Sequence, residues 1–270
     1  MRKLMIATAL AAFCGAVLAD GITSANTVGY TSKAVAAGKY YLIGTQFDKA
    51  GTTAAGSIDM NDLIKLSAEL APGLYDDDFA TAPQIQVLNA AGTGYKMYYY
   101  ISDGTDDNDD ELGYNAWCDV DGYELTEAAK LELGKGFWFY SPVAAGTITT
   151  AGQVSEVASK TLSFPAAKYT ILCNPYPKAV SLQSLTTTAT PGLYDDDFAT
   201  APQIQVLNAA ATGYKLYYYI SDGTDDNDDE LGYNAWCDVD GYELEGAQID
   251  AGAAFWVYSP STSGSITFSL

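Results

Sequence analysis

The sequence predicts a mainly β protein made of two tandem β-sandwich-like repeat domains with short helical inserts. Two observations carry this reading. The first is an internal duplication: Pro72 to Leu125 recurs as Pro191 to Leu244 with only Gly92/Ala211 and Met97/Leu216 differing, and a repeat of this length marks a structural unit used twice. The second is a series of short runs rich in aromatic and β-branched residues, punctuated by Gly, Asn and Asp, which is the pattern of strands and tight turns.

Taken in order, Arg2 and Lys3, the apolar run Leu4 to Val17 and the small or apolar Val17-Leu18-Ala19 read as an export signal over residues 1–19. The mature chain is expected to start at Asp20. The apolar run is shorter than the roughly 20 residues that cross a bilayer, so no membrane insertion is expected. The first β repeat domain is placed at 20–152, with the repeat itself beginning near 27, and the second at 153–270. Flanking matches extend the unit: Lys39-Tyr40-Tyr41-Leu42-Ile43 faces Lys168-Tyr169-Thr170-Ile171-Leu172, and Gly136 to Pro142 faces Ala254 to Pro260.

Ser57 to Leu66 is the best helix candidate, with Ser57 as cap and Ile58, Leu63 and Leu66 on one face; Ser181 to Leu185 is its shorter counterpart. Gln84 to Leu88 and Tyr95 to Ile101 read as strands joined by a hairpin turn at Asn89 to Gly94. In the second run Tyr95, Met97, Tyr99 and Ile101 share one face, expected to be core. Lys96, Tyr98, Tyr100 and Ser102 share the other. Gly136 to Tyr140 and Thr147 to Thr149 supply further strands.

Composition excludes several functions. The formal net charge is −21, with 34 acidic against 13 basic residues. Nucleic acid, which needs a basic surface, is not an expected partner, nor is an anionic lipid surface. The chain has no His, and its only Arg is Arg2, within the export signal. Ser-His-Asp and Cys-His mechanisms are thereby unavailable, as are His-ligated zinc and an arginine clamp. The protein is not expected to be an enzyme. A carboxylate-pair glycoside hydrolase is the remaining catalytic reading, but the acids crowd into hydrophilic loops where nothing would raise the pKa of one of them.

Those loops suggest a cation instead. Asp76 to Asp78, Asp103 with Asp106 to Glu111, and Asp119, Asp121 and Glu124 form three acidic groups that recur in the second copy. Calcium takes six to eight oxygen ligands, and alternating acids can point them inward from a tight loop. The candidate ligands are Asp103, Asp106, Asn108 and Asp110, with Asp222, Asp225, Asn227 and Asp229 in the second copy. An EF-hand is excluded, since Glu111 stands where that loop needs Gly and Trp117 where it needs an acid. The competing reading is a solvated tip that maintains solubility.

Tyr98, Tyr100, Tyr217 and Tyr219, with Trp117 and Trp236, are candidate sugar-stacking rings, set against ordinary cross-strand packing. Cys118, Cys173 and Cys237 are expected to be buried thiols, because an odd count with this spacing gives no disulfide framework.

The Gly-Lys-Tyr start, the turn Asn174 to Pro177, the Ile-Gln-Val-Leu-Asn hairpin and the closing Gly-Phe-Trp-x-Tyr-Ser-Pro strand resemble secreted β-repeat proteins of environmental bacteria. The resemblance implies export and a β fold and carries no activity; copy one departs from it at Gly44 to Phe47. The functional expectation is a secreted structural protein, a subunit of an extracellular filament, surface layer or matrix, stabilised by calcium. The alternative is a calcium-dependent carbohydrate-binding module. Head-to-tail self-association would use Asp20 to Val28 of one subunit against Ser265 to Leu270 of the next. In the competing arrangement Ile266 and Phe268 fill the core of their own copy.

Overall fold

A computed structural model describes residues 28–48, 57–70, 80–102, 116–123, 125, 130–189, 199–208, 211–221, 234–242, 244 and 246–270. The protein is mainly β, with several small antiparallel sheets. Copy one contributes β1 (Val28–Val35), β2 (Lys39–Gly44), β3 (Phe47–Asp48), β4 (Ser57–Asp59), β5 (Ile64–Leu66), β6 (Gln84–Leu88), β7 (Tyr95–Ile101), β8 (Ala116–Cys118), β9 (Lys130–Glu132), β10 (Gly136–Ser141) and β11 (Gly146–Val154). Copy two contributes β12 (Ser159–Phe164), β13 (Thr170–Cys173), β14 (Val180–Ser181), β15 (Thr186–Thr187), β16 (Gln203–Leu207), β17 (Tyr214–Ile220), β18 (Ala235–Cys237), β19 (Gln248–Ile249), β20 (Ala254–Tyr258) and β21 (Gly264–Ser269).

Four larger sheets result. Sheet I is β1-β11-β3, with β5 also on β11; sheet II is β2-β10-β6-β7-β8; sheet III is β13-β20-β16-β17-β18; sheet IV is β12-β21-β15. The equal order of sheets II and III follows from the duplicated sequence. Apolar side chains fill the spaces between successive sheets. One cluster joins sheets I and II through Val35, Ile85, Phe137 and Ile148. Its counterpart joins sheets III and IV through Leu162, Ile204, Phe255 and Ile266. A third joins sheets II and III through Leu42, Ile171, Cys173 and Ala254. Sheets II and III therefore bury apolar side chains on both faces, as propeller blades do, and the arrangement resembles a four-bladed propeller.

The β6–β7 turn forms as the sequence indicates. Asn89 N–H donates to Gly94 O at 2.9 Å, and Asn89 Oδ1 accepts from Thr93 N at 3.1 Å. Gly92 takes φ 69° and its counterpart Ala211 φ 53°, a left-handed conformation that costs alanine about 1–2 kcal/mol. The side-chain bond recurs from Thr212 N to Asn208 Oδ1 at 3.0 Å and holds the turn despite the substitution.

The helix expected over Ser57 to Leu66 is one turn, Met60–Leu63, between β4 and β5, and its cap is Asp59, whose side chain accepts from Asn61 N. Pairing overrides the helical periodicity on both sides: Ile58 lies opposite Leu131, and Ile64 opposite Thr150. The shorter counterpart is a 3-10 turn, Leu182–Ser184. These inserts hold the core tryptophans. Asn61 Oδ1 accepts from Trp117 N at 2.8 Å, and Gln183 bonds both the N–H and the C=O of Trp236, at 3.1 and 2.8 Å.

The face assignment of β7 is the reverse of the sequence expectation for Tyr95, Met97 and Tyr99, while Ile101 of that face is buried as expected, with Ala116 and Cys118. Tyr98 and Tyr100 are buried in the cluster between sheets I and II, with Trp117 beside them. Tyr95, Met97 and Tyr99 lie on the opposite face, towards sheet III. In copy two Tyr219 and Trp236 are likewise core. Ile266 and Phe268 are fully buried in copy two's own core, and β21 pairs β12 on one side and β15 on the other.

Candidate functional site

The register of sheet II places Tyr140 opposite Tyr40 and Trp138 opposite Leu42 on one side of β10, and Tyr140 opposite Gln84 and Trp138 opposite Gln86 on the other. Because side chains alternate along a strand, Phe137 and Phe139 then face the core, while Trp138 and Tyr140 face away from it with Tyr40, Gln84 and Gln86. The pairing of β6 with β7 adds Met97, Tyr95 and Tyr99 to this outer face. Sheet III builds the same face from Tyr258, Trp256, Gln203, Gln205, Tyr214 and Tyr218, with Tyr169 just before β13.

Three rings on each face form the same platform. Tyr40 stacks on Tyr140 with centroids 4.4 Å apart at 19° and meets Trp138 edge-on at 6.2 Å and 89°. Tyr169 stacks on Tyr258 at 4.7 Å and 24° and meets Trp256 edge-on at 5.8 Å and 86°. Tyr40 is 47 % exposed and Tyr169 43 %, so both platforms present open ring surface. The glutamine amides lie beside the rings, and Gln205 Nε2 donates to Gln203 Oε1 at 3.3 Å.

The two faces meet at one end. A Cβ on Gly136 would lie 2.5 Å from Ile171 Cγ2 and 2.6 Å from Ala254 Cβ, so glycine is needed for this approach. Backbone bonds reinforce it, with Cys173 N–H donating to Gly134 O at 2.8 Å. Beyond the contact lies an open cleft of about 380 Å³, lined by Leu88 and Gly92 to Tyr95 of copy one and by Tyr169, Gln205, Tyr214 and Trp256 of copy two. Burial raises the pKa of the Tyr95 phenol, a hydrogen bond with the Trp138 side chain opposes that shift, and the nearby Tyr214 adds to it. Burial also raises the pKa of Tyr99, with Tyr40 adding to it.

Alternation puts Lys96 and Lys215 opposite Val87 and Val206, on the inner side of their strands, while Lys168, next to Tyr169, lies beside Gly92 at the edge of the cleft. The cleft offers aromatic rings, phenols and an amide, a set suited to stacking and hydrogen bonding with a polar ring.

The expected calcium ligands Asp103, Asp106, Asn108, Asp110, Asp222, Asp225, Asn227 and Asp229 all lie outside the described residues. Among the described residues no group of three His, Cys, Asp or Glu side chains could hold a metal. The described part of the third acidic group is a turn: Asp119 Oδ1 accepts from Asp121 N and Tyr123 N, each at 3.0 Å, and Asp238 repeats this with Asp240 N and Tyr242 N.

Of the rings weighed as sugar-stacking against cross-strand packing, Trp117 and Trp236 are buried and unavailable to a ligand; Tyr98, Tyr100 and Tyr219 are buried too, and Tyr217 is half-buried against the core of copy two. Sequence reasoning passed over Tyr40, Trp138, Tyr140 and their counterparts. The available signal was the repetition of Tyr, Trp and Tyr outside the near-identical segment, where other residues had diverged. Cys118, Cys173 and Cys237 are buried thiols, as expected. Burial pushes the Cys173 thiol from 9.0 up to about 12.

No protein-family model matches the chain, and neither a curated protein nor a solved structure matches it significantly.

Proposed function

We propose that this is a secreted, non-catalytic glycan-binding protein whose ligand stacks on the paired Tyr-Tyr-Trp platforms between the two copies. The doubled platform carries the reading. Three rings with the same mutual geometry recur on sheets II and III, in flanking regions that otherwise differ between the copies. Aromatic rings left half exposed beside amide groups offer both an apolar surface and hydrogen bonds to a sugar. The lack of His, and of Arg outside the export signal, supports a binding role over a catalytic one. Each copy is proposed to be sandwich-like, on the strength of the cluster its two sheets share.

The test is affinity electrophoresis through gels containing β-1,4-glucan, β-1,3-glucan, β-1,4-mannan or soluble chitin derivatives. Retardation by at least one is expected, and it should be lost in the Trp138→Ala/Trp256→Ala double variant while the circular dichroism spectrum is retained. Unchanged migration in every gel would overturn the reading.

A second reading, a calcium-stabilised subunit of a filament, surface layer or matrix, draws support from β1. Its eight residues pair with β11 alone among the described strands, and Tyr30 is 75 % exposed. An open edge of this kind can recruit another strand. On this reading calcium at about 1 mM raises the melting temperature through binding to the folded state. The shift should shrink in the Asp106→Asn/Asp225→Asn variant. Absence of calcium binding by calorimetry would leave the acidic loops as solubilising tips.

A further inference from the structure

Resting on the glycan-binding reading, we infer that the two platforms act as one composite site, and that its ligand is an uncharged linear polysaccharide spanning both copies. Three observations join the platforms. Trp138 and Trp256 pack against the same apolar cluster of Leu42, Ile171, Cys173 and Ala254, which closes the junction between the copies. Tyr95 of copy one hydrogen-bonds with Trp138 and lines the same cleft as Tyr214 of copy two. The cleft itself is lined by both copies: a Cβ on Gly92 of the first would lie 3.3 Å from the Tyr169 carbonyl of the second. A chain stacked on Tyr169 and Trp256 meets Tyr95 of copy one across the cleft, and Tyr95 leads through its bond with Trp138 to the first platform.

The charge pattern selects the chemistry of that chain. The polar side chains on the two faces are phenols and the amides of Gln84, Gln86, Gln203 and Gln205, while the lysines of β7 and β17 lie on the inner side. A uronic-acid or sulfated polymer would approach a chain of formal net charge −21, which Lys168, beside Gly92 at the edge of the cleft, offsets only locally, so it is disfavoured. A neutral polymer carries no such penalty. The site is long rather than deep, so each stacked ring contributes a modest amount. Linking two platforms raises affinity through effective concentration, by up to about 10²–10⁴-fold in favourable geometry.

The experiment compares disaccharides and hexasaccharides of whichever neutral polysaccharide retards the protein, by titration calorimetry on the full mature chain. The hexasaccharide is expected to bind one per chain and at least about tenfold more tightly than the disaccharide. Tyr40→Ala alone and Tyr169→Ala alone should each bring hexasaccharide affinity down to the disaccharide level. Both side chains are exposed, so melting temperatures should stay close to the parent and report folding separately. Two hexasaccharides per chain, or equal affinity for both lengths, would overturn the composite site and leave glycan binding intact. Retardation by alginate or heparin instead of the neutral polymers would overturn the ligand class. No retardation by any polysaccharide would remove the glycan-binding reading and this inference with it.

Discussion

Trp236→Ala is expected to destabilise the protein by about 3–5 kcal/mol, the usual range when a large buried ring is truncated. Trp236 is 1 % exposed. Its ring meets Tyr219 edge-on, with centroids 5.2 Å apart, and its indole N–H donates to Leu185 O at 3.1 Å. Trp117 occupies the same position in copy one with the same 5.2 Å contact to Tyr100, but its Nε1 has no hydrogen-bond partner among the described residues. The two sites therefore separate packing from hydrogen bonding. Both alanine variants lose the ring. Trp236→Phe additionally strands a buried carbonyl, whereas Trp117→Phe removes a buried donor with no partner among the described residues. Trp236→Phe should cost about 1–2 kcal/mol more than Trp117→Phe. Urea denaturation followed by circular dichroism reads both differences, and equal costs for the two phenylalanine variants would contradict the assigned indole bond.

Adding one methyl group at Gly44 is expected to break the junction between the copies. The Cβ of an alanine there would fall on the carbonyl oxygen of Gly252, 2.5 Å from Cys173 Cβ and 2.9 Å from Cys173 Sγ. Two of these atoms are backbone or attached directly to it, so no rotamer change relieves the overlap. The cost is placed at about 3 kcal/mol, at the upper end for overpacking. That corresponds to a fall in melting temperature of roughly 6–12 °C for a chain of this size. Gly94→Ala is the control, since its nearest neighbour would be Asn89 Nδ2 at 3.4 Å. Scanning calorimetry should show a large downward shift for Gly44→Ala and little for Gly94→Ala. A Gly44→Ala melt matching the parent would mean that sheets II and III do not approach as described.

Much of the local structure was legible from residue order. The hairpin at Asn89 to Gly94 follows from Asn and Gly between two strand-forming runs, and its side-chain bond makes the turn chemistry explicit. The strands at Gly136–Ser141 and Gly146–Val154 lie where aromatic and β-branched residues concentrate. Buried thiols at Cys118 and Cys237 follow from their apolar neighbours on short strands. The helical insert was misjudged in length, because Ile58 and Leu66 satisfy both a helical stripe and a strand, and only the partners Leu131 and Ile148 choose between them.

What the sequence by itself determined is the repeated unit, the positions of its turns and main strands, its acidic balance and the residue types missing from it. The tertiary structure decided which side of each strand is inside. Tyr95, Met97 and Tyr99 alternate with Lys96, Tyr98 and Tyr100, so both sides of β7 carry aromatic rings and the period of two has no polar contrast to orient it. Packing sheet I against one side and sheet III against the other buries Tyr98 and Tyr100 and leaves Tyr95 facing the cleft. Two near-identical copies also send identical local signals. Their mutual placement depends on Gly44 meeting Cys173 and Gly136 meeting Ile171 and Ala254, residues distant in the chain, and that contact, which no local pattern encodes, creates the aromatic cleft.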